Sequence, residues 1–295
     1  MRITLTGATG FLGRILIQRL SAAGHSICLL SRKPVTGLPQ NVEIFMWDPP
    51  QVEPPPEAFQ DSDAVIHLAG APVSQRWTAE AKALIRSSRM DSTRMLVQSL
   101  STMSRRPPLL LSASAIGFYG ERGDEVLNES SGVGSGFLAD LSEDWENQAN
   151  LARSLGMRVN CLRTGVVLGK GGGALDAILP PFRFGVGGKL GTGQQWMSWI
   201  HLEDWIGMVL YLLEHKIASG PANLTSPNPI RNAEFTATLG RVLHRPALLT
   251  VPAFMLNLLF GEMSTLVLLS QRVLPTTEYE FRFPTLEPAL RSLLQ

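Results

Sequence analysis

Two short stretches of this 295-residue chain hold residue types spaced for nucleotide chemistry. The first is Thr6-Gly7-Ala8-Thr9-Gly10-Phe11-Leu12-Gly13. Arg2 to Thr6 reads as a strand and a helical pattern begins at Phe11, so the three glycines fall on a strand-to-helix turn. Gly7 permits the tight turn, Gly10 lets a pyrophosphate approach the backbone, and Gly13 lets the helix pack closely on the sheet. N–H groups from Thr9 through Phe11, Leu12 and Gly13 then face the phosphates, helped by the positive end of the helix. Three glycines alone are a weak sign. The strand before them and the helix after them specify dinucleotide binding.

The second stretch is Ser31-Arg32-Lys33-Pro34, where the next strand ends. A carboxylate about twenty residues beyond the glycine turn would bind the ribose hydroxyls of NAD. None is present. A guanidinium can instead grip a 2′-phosphate through two charge-assisted hydrogen bonds and stack on adenine. NADP is therefore the expected cofactor, with Ser31 and Arg32 in contact with it. The alternative is that Arg32 and Lys33 are a solvated loop pair.

A third constellation is His201 and Asp204, three apart at a helix start. Such a pair could run acid–base chemistry, because imidazole titrates near neutral pH. Equally, Asp204 could charge the helix start while His201 bonds a loop carbonyl. Trp196, Trp199 and Trp205 with Phe182 and Phe184 could line a pocket or form plain core. Arg183, Arg163 and Arg231 are candidate anion anchors, Arg163 the weakest because strand-end arginines often tie loops. The glycine- and aromatic-rich segment from Phe182 to Gly193 is expected to form one wall of a substrate cleft.

The elements that must position these groups alternate. Strands are expected at Arg2 to Thr6, Ser26 to Ser31, Val42 to Trp47, Ala64 to Leu68, Leu109 to Ser112 and Arg158 to Arg163. Helices are expected at Leu12 to Ala23, Thr78 to Met103 and Leu138 to Ser154, and later at Leu202 to Glu214, Asn232 to Leu243 and Ala253 to Phe260. This pattern predicts an α/β fold, a doubly wound parallel (Rossmann) sheet with a smaller, mostly helical C-terminal lobe. Residues 1–170 would form the nucleotide domain, with 200–225 returning to it, and residues 171–295 the lid. Beyond Gly169 the glycine and proline clusters read as long loops.

Together, Thr6 to Gly13, His67-Leu68-Ala69-Gly70 and Ser112-Ala-Ser114-Ala-Ile-Gly-Phe-Tyr119-Gly120 resemble the extended short-chain dehydrogenases/reductases. A narrower match runs through Arg163 to Gly169, Leu179 to Arg183, Trp199 to Asp204, Asn228 to Phe235 and Leu243 to Pro246. These are similar to one atypical branch, the epimerase-like proteins with a short C-terminal domain of unassigned role, found in bacteria, chloroplasts and mitochondria. The resemblance covers nearly the whole chain and implies NADP binding. It further implies that Leu68, Ala69 and Gly70 pass under the adenosine half of the cofactor and that Thr164 lies near the nicotinamide. Ser114 would take the place of the catalytic serine; a serine capping a strand end is the competing reading, with Ser112 and Ser131 equally available.

This sequence departs from the pattern in three places. The branch often has Glu after Ala-Gly, where Ala71 stands. The chain is shortened around Pro275 to Tyr279, which leaves the last lid helix in question. Most importantly, the superfamily's Tyr and Lys, one turn apart on a helix, are absent from Gly136 to Glu146. There the ammonium lowers the phenol's pKa so that it can exchange a proton. Tyr119 is the nearest phenol. An unassisted phenol stays protonated at neutral pH and can only donate a hydrogen bond, so Ser114 and Tyr119 are expected to orient an acceptor with no dedicated base; packing in a turn is the alternative for Tyr119. The two function classes that remain are an NADP-dependent oxidoreductase of a small carbonyl substrate and a non-catalytic NADPH-sensing regulator acting through a partner.

The remaining bounds are broad. Net charge is +1, which gives no basic field for nucleic acid. Cys28 and Cys161 lie in apolar runs with no metal-ligand spacing, so no metal is expected and a reducing compartment is. Val251 to Leu269 is rich in Leu, Met and Phe but interrupted by Gly261, Glu262 and Ser264, and reads as two short buried helices rather than a span. With no signal peptide pattern, a cytoplasmic protein with no membrane partner is expected. A homodimer is left open.

Overall fold

The structure, a computed structural model, describes residues 1–215 and 219–295. Its centre is a parallel sheet of seven strands: β1 (Arg2–Thr6), β2 (Ser26–Ser31), β3 (Val42–Met46), β4 (Ala64–His67), β5 (Leu109–Ala115), β6 (Arg158–Thr164) and β7 (Gly220–Leu224). They lie in the order β3-β2-β1-β4-β5-β6-β7. The order reverses between β1 and β4. In such sheets that reversal opens a crevice at the carboxyl ends of the strands.

Alternation along each strand feeds two cores. Ile3, Leu5, Leu29, Ile66, Leu111 and Leu162 face helices α1 (Phe11–Ala22) and α5 (Leu202–Glu214). Leu30, Val65, Leu110, Val159 and Cys161 face α2 (Ala79–Thr102) and α3 (Phe137–Asn150). Both cysteines are buried free thiols, and burial pushes Cys161 up to about 12. Both faces of the sheet are thus covered, as a parallel sheet requires.

Beyond the sheet come α4 (Gly173–Arg183), α6 (Asn232–Leu243), α7 (Ala253–Phe260) and α8 (Leu286–Leu294). Leu175, Leu179 and Phe182 of α4, Phe235 and Leu239 of α6, and Leu286, Leu290 and Leu293 of α8 share a separate core with Trp199. The C-terminal region is therefore small and mostly helical.

Five expectations change. β5 runs on to Ala115 because its pairing with β6 continues through Ser114 opposite Arg163 and Ala115 opposite Thr164. β7 was not expected as a strand, because Gly-Pro-Ala-Asn-Leu has poor strand propensity; Pro221 is tolerated because β7 is an edge. Pro180 and Pro181 do not break the chain but sit inside α4, whose apolar face is held by the C-terminal core. The last helix, in question from the sequence, does form, with Leu286, Ala289, Leu290 and Leu293 buried on one face. The segment from Val251 to Leu269 folds into short helices, but α7 buries only Leu256.

Candidate functional site

At the carboxyl end of β1 the chain turns through Gly7, whose φ of 75° is the left-handed region that favours glycine. A Cβ there would stand 2.6 Å from the carbonyl carbon of Leu68, so glycine also sets how closely the loop after β4 approaches. Gly10 caps α1 with no side-chain hydrogen bond and no acidic residue in the first turn. The first N–H groups of a helix have no intrahelical partner, so Phe11, Leu12 and Gly13 present donors and positive potential at the crevice. Thr9 and Gly10 are exposed there, as is Gly70 across the crevice, while Leu68 and Ala69 are half-buried. This cradle fits a pyrophosphate. The ring of Phe11 packs beneath Gly169, Gly172 and Gly173, so the turn also abuts the start of α4.

Ser31 ends β2 with its hydroxyl donating to the Lys33 carbonyl at 2.8 Å. That turn leaves Arg32 exposed beside the crevice with no carboxylate on β2 to oppose an anion.

Two residues to which the sequence alone assigns no role, His67 and Arg89, shape the loop after β4. Thr6 Oγ1 accepts from the N–H groups of Leu68 (3.2 Å) and Ala69 (3.3 Å), so its proton goes to His67 Nδ1 at 2.7 Å. His67 must then carry its proton on Nε2 and donate to Thr93 Oγ1 at 3.0 Å. Thr93 in turn donates to the Arg89 carbonyl. Burial lowers the His67 pKa to about 4, so the ring is neutral. The second residue is Arg89, 8% exposed. Its guanidinium donates to the carbonyls of Ala71 and Ile85 at 3.0 Å each and stacks 4.9 Å from Trp145. A Cβ on Gly70 would come within 3.1 Å of it. Burial pulls its pKa down to about 10, and among the described residues no carboxylate pairs with it. A buried cation without a counter-charge therefore lies directly under the crevice lip. In sequence it was one of several arginines along α2.

The wall beyond the crevice is different. Ser114 is buried and donates to Glu146 Oε1 at 2.6 Å. Glu146, on α3, is held by Arg163 through two 2.8 Å bonds. Arg163 also donates to the Tyr119 hydroxyl at 3.0 Å and stacks 3.5 Å from Phe118. Tyr119 donates to Asn223 of β7 at 2.7 Å. Burial draws the Arg163 pKa down, but the hydrogen bonds and charge of Glu146 outweigh it and hold it above its ordinary value. Burial pushes the Tyr119 phenol up, against the opposing Arg163 charge.

This chain of contacts fastens β5, α3, β6 and β7 together. Tyr119 is 0% exposed, and the Ser114 and Tyr119 hydroxyls both give their protons to protein acceptors. Arg163 is a strand-end tie, as its competing reading held.

His201 and Asp204 do not bond each other. His201 Nδ1 accepts from the Glu203 N–H at 3.0 Å, capping α5, and Nε2 meets Ser292 Oγ at 3.2 Å. Burial, then the Arg282 charge, lowers its pKa to about 4. Asp204 accepts from the N–H groups of Arg282 (2.7 Å) and Phe283 (2.9 Å). The two residues clamp the C-terminal segment to α5. Trp199, Trp205 and Phe182 are core, and Phe184 is exposed. Thr164 is half-buried, its hydroxyl accepting from Trp205 Nε1 at 3.1 Å. Arg231 pairs with Asp124 at 2.7 Å and shares the Trp196 ring with Arg272. Among the described residues no group of three His, Cys, Asp or Glu is placed to hold a metal.

Comparison with known proteins agrees with this geometry. Residues 3–224 match the NAD dependent epimerase/dehydratase family, and residues 251–293 match a domain of unknown function, DUF1731. The chain is 41% identical over 311 residues to the Arabidopsis thaliana epimerase family protein SDR39U1 homolog, chloroplastic, spanning 100% of this chain and 87% of that protein. It is 38% identical to the epimerase family protein YfhF of Bacillus subtilis, spanning 100% and 98%. The crystal structure of human epimerase family protein SDR39U1 (isoform 2) with NADPH superposes with a TM-score of 0.89 at 32% identity, covering 99% of each chain. By sequence and by fold alike, the chain belongs to the NAD-dependent epimerase/dehydratase family.

Proposed function

We propose that this protein binds NADP(H) in the crevice above β1 and β4 and reduces a small carbonyl compound without a side-chain acid or base. The observation that carries the cofactor choice is the exposed Arg32 on the Ser31 turn, where an NAD-binding protein would place a carboxylate. The solved human relative with NADPH supports the same choice. Gly7, Thr9, Gly10, Phe11, Leu12 and Gly13 would hold the pyrophosphate, Ser31 and Arg32 the 2′-phosphate, and Leu68, Ala69 and Gly70 the adenosine half. Thr164 would stand near the nicotinamide. Arg89 adds a fixed positive charge beneath the loop.

When bound, the reduced nicotinamide supplies a hydride. The chain's own contribution is to bind and orient. No titratable side chain of the wall is free to move a proton, so the proton for a carbonyl oxygen comes from water, and turnover is slow or narrow. Titration calorimetry with NADPH and NADH tests the cofactor; equal affinities would refute the assignment. NADPH oxidation in the presence of a panel of aldehydes and ketones tests the reaction.

A second reading, a regulator that senses NADPH and acts through a partner, is favoured by the inward turn of Ser114, Tyr119 and His201. Tight NADPH binding with no oxidation by any carbonyl compound would select it.

A further inference from the structure

The C-terminal region carries an apolar face that no other described residue covers. Residues Leu249–Val251 pair in parallel with Gly188–Leu190, and Gly185 lies against Pro246, so the turn after α4 runs beside the chain leading into α7. On this face Leu248 is 89% exposed, Phe184 84%, Leu258 78%, Phe254 69% and Leu259 62%. With aromatic side chains at 150–250 Å² and leucine somewhat less, these and their neighbours expose roughly 700 Å² of apolar surface, above the ~300–600 Å² of the largest patch on an ordinary monomer. α7 is eight residues long, has no charged residue and is apolar nearly all round, yet it stands in the open.

Cations outnumber carboxylates in the segments that form the face. Residues 183–191 and 241–262 contain Arg183, Lys189, Arg241 and Arg245 and a single carboxylate, Glu262, which pairs with Lys82. Glu287 holds Arg241, while Arg183, Lys189 and Arg245 have no ion-pair partner among the described residues. A twofold contact with a second copy through this surface would bring like charges together. An anionic lipid headgroup layer would instead meet both features, the apolar side chains entering the acyl boundary and the cations meeting the headgroups. No helix among the described residues is long and apolar enough to cross a membrane, so the contact is one of lying on the surface.

We propose that the face formed by α7, Leu248 and Phe184 docks this protein onto an anionic lipid surface. The test is sedimentation of the full chain with vesicles of phosphatidylcholine, with and without phosphatidylglycerol. The protein is expected to pellet with the anionic vesicles, more weakly as salt rises. Leu258→Asp and, separately, Phe254→Asp should each lower partitioning roughly tenfold or more, the scale of one lost buried apolar side chain. Arg245→Glu should lower it several-fold and flatten the salt dependence. NADPH titration of each variant verifies that it is folded. Failure to pellet with either vesicle overturns the proposal, as does pelleting that both aspartate variants leave unchanged. A dimer in analytical ultracentrifugation that Leu258→Asp dissociates, with vesicles leaving the protein in solution, would assign the face to a second copy instead.

Discussion

The crevice above β1 and β4 and the wall built by β5, α3 and β6 belong to one sheet, and they treat polar groups in opposite ways. The crevice leaves more of them open: an uncapped α1, an exposed Arg32, and a buried Arg89 that bonds two carbonyls but pairs with no carboxylate among the described residues. In the wall they are joined to one another, from Ser114 through Glu146 and Arg163 to Tyr119 and Asn223. Groups that must meet a ligand have to keep unmet hydrogen-bonding capacity, and a buried network can tolerate none. The crevice and the wall thus differ in how much hydrogen-bonding capacity they leave for a ligand. Mutations should separate the two, with stability changing at the wall and affinity at the crevice.

The largest effect is expected at the buried ion pair. Arg163→Met leaves the Glu146 carboxylate buried without its partner, which costs about 3–5 kcal/mol. Urea unfolding monitored by tryptophan fluorescence measures this. An unfolding midpoint equal to that of the parent protein would show that the wall is not the fastening described here.

A pH effect comes next. His67 and His201 both have pKa values lowered to about 4 from 6.5. The unfolded chain takes up their protons first, so stability is full above about pH 6.5, falls as pH drops towards 4, and levels off below it. Each histidine contributes a slope near 1.4 kcal/mol per pH unit, up to roughly 3 kcal/mol over the window. Denaturation at several pH values in His67→Asn should show a shallower slope than in the parent; an unchanged slope would mean His67 is not held neutral.

At the crevice, Arg32→Asp should cost roughly 1.5–3 kcal/mol of NADPH affinity, the scale of a hydrogen bond to a charged group. Affinity for NADH should rise while the unfolding midpoint stays put. Calorimetry separates these outcomes, and an unaltered NADPH dissociation constant would put Arg32 among solvated loop residues.

Legibility in the sequence followed the same division. The glycine turn, the apolar runs of β1, β2 and β4, and the missing carboxylate after β2 are local signals, and each could be read directly. Arg89 could not, because burial alone distinguishes it from Arg86 and Arg94 on the same helix. Glu146 lies in the stretch searched for Tyr and Lys, but its importance depends on Arg163, which arrives from another strand. Gly220–Leu224 carries no strand signal of its own, and pairing with β6 alone makes it one. The spacing of His201 and Asp204 is visible in the sequence, but their partners, Ser292 and the N–H groups of Arg282 and Phe283, lie some eighty to ninety residues away.

The smallest expected effects decide whether the wall has any share in chemistry. Ser114→Ala removes one donor to Glu146, whose oxygens keep both bonds from Arg163, so the loss should be about 1 kcal/mol of stability. Tyr119→Phe leaves the Asn223 carbonyl and one Arg163 N–H without that partner, at roughly 1–3 kcal/mol. Neither hydroxyl points a free proton at the crevice. With a carbonyl compound that oxidises NADPH, both variants should therefore keep the parent's kcat under saturating cofactor, at a temperature where both are folded. A kcat lowered tenfold or more with unchanged folding would mean that a ligand draws Ser114 or Tyr119 out of the network. In that case the wall is a resting state of the active site, and the contrast between the two regions disappears on binding.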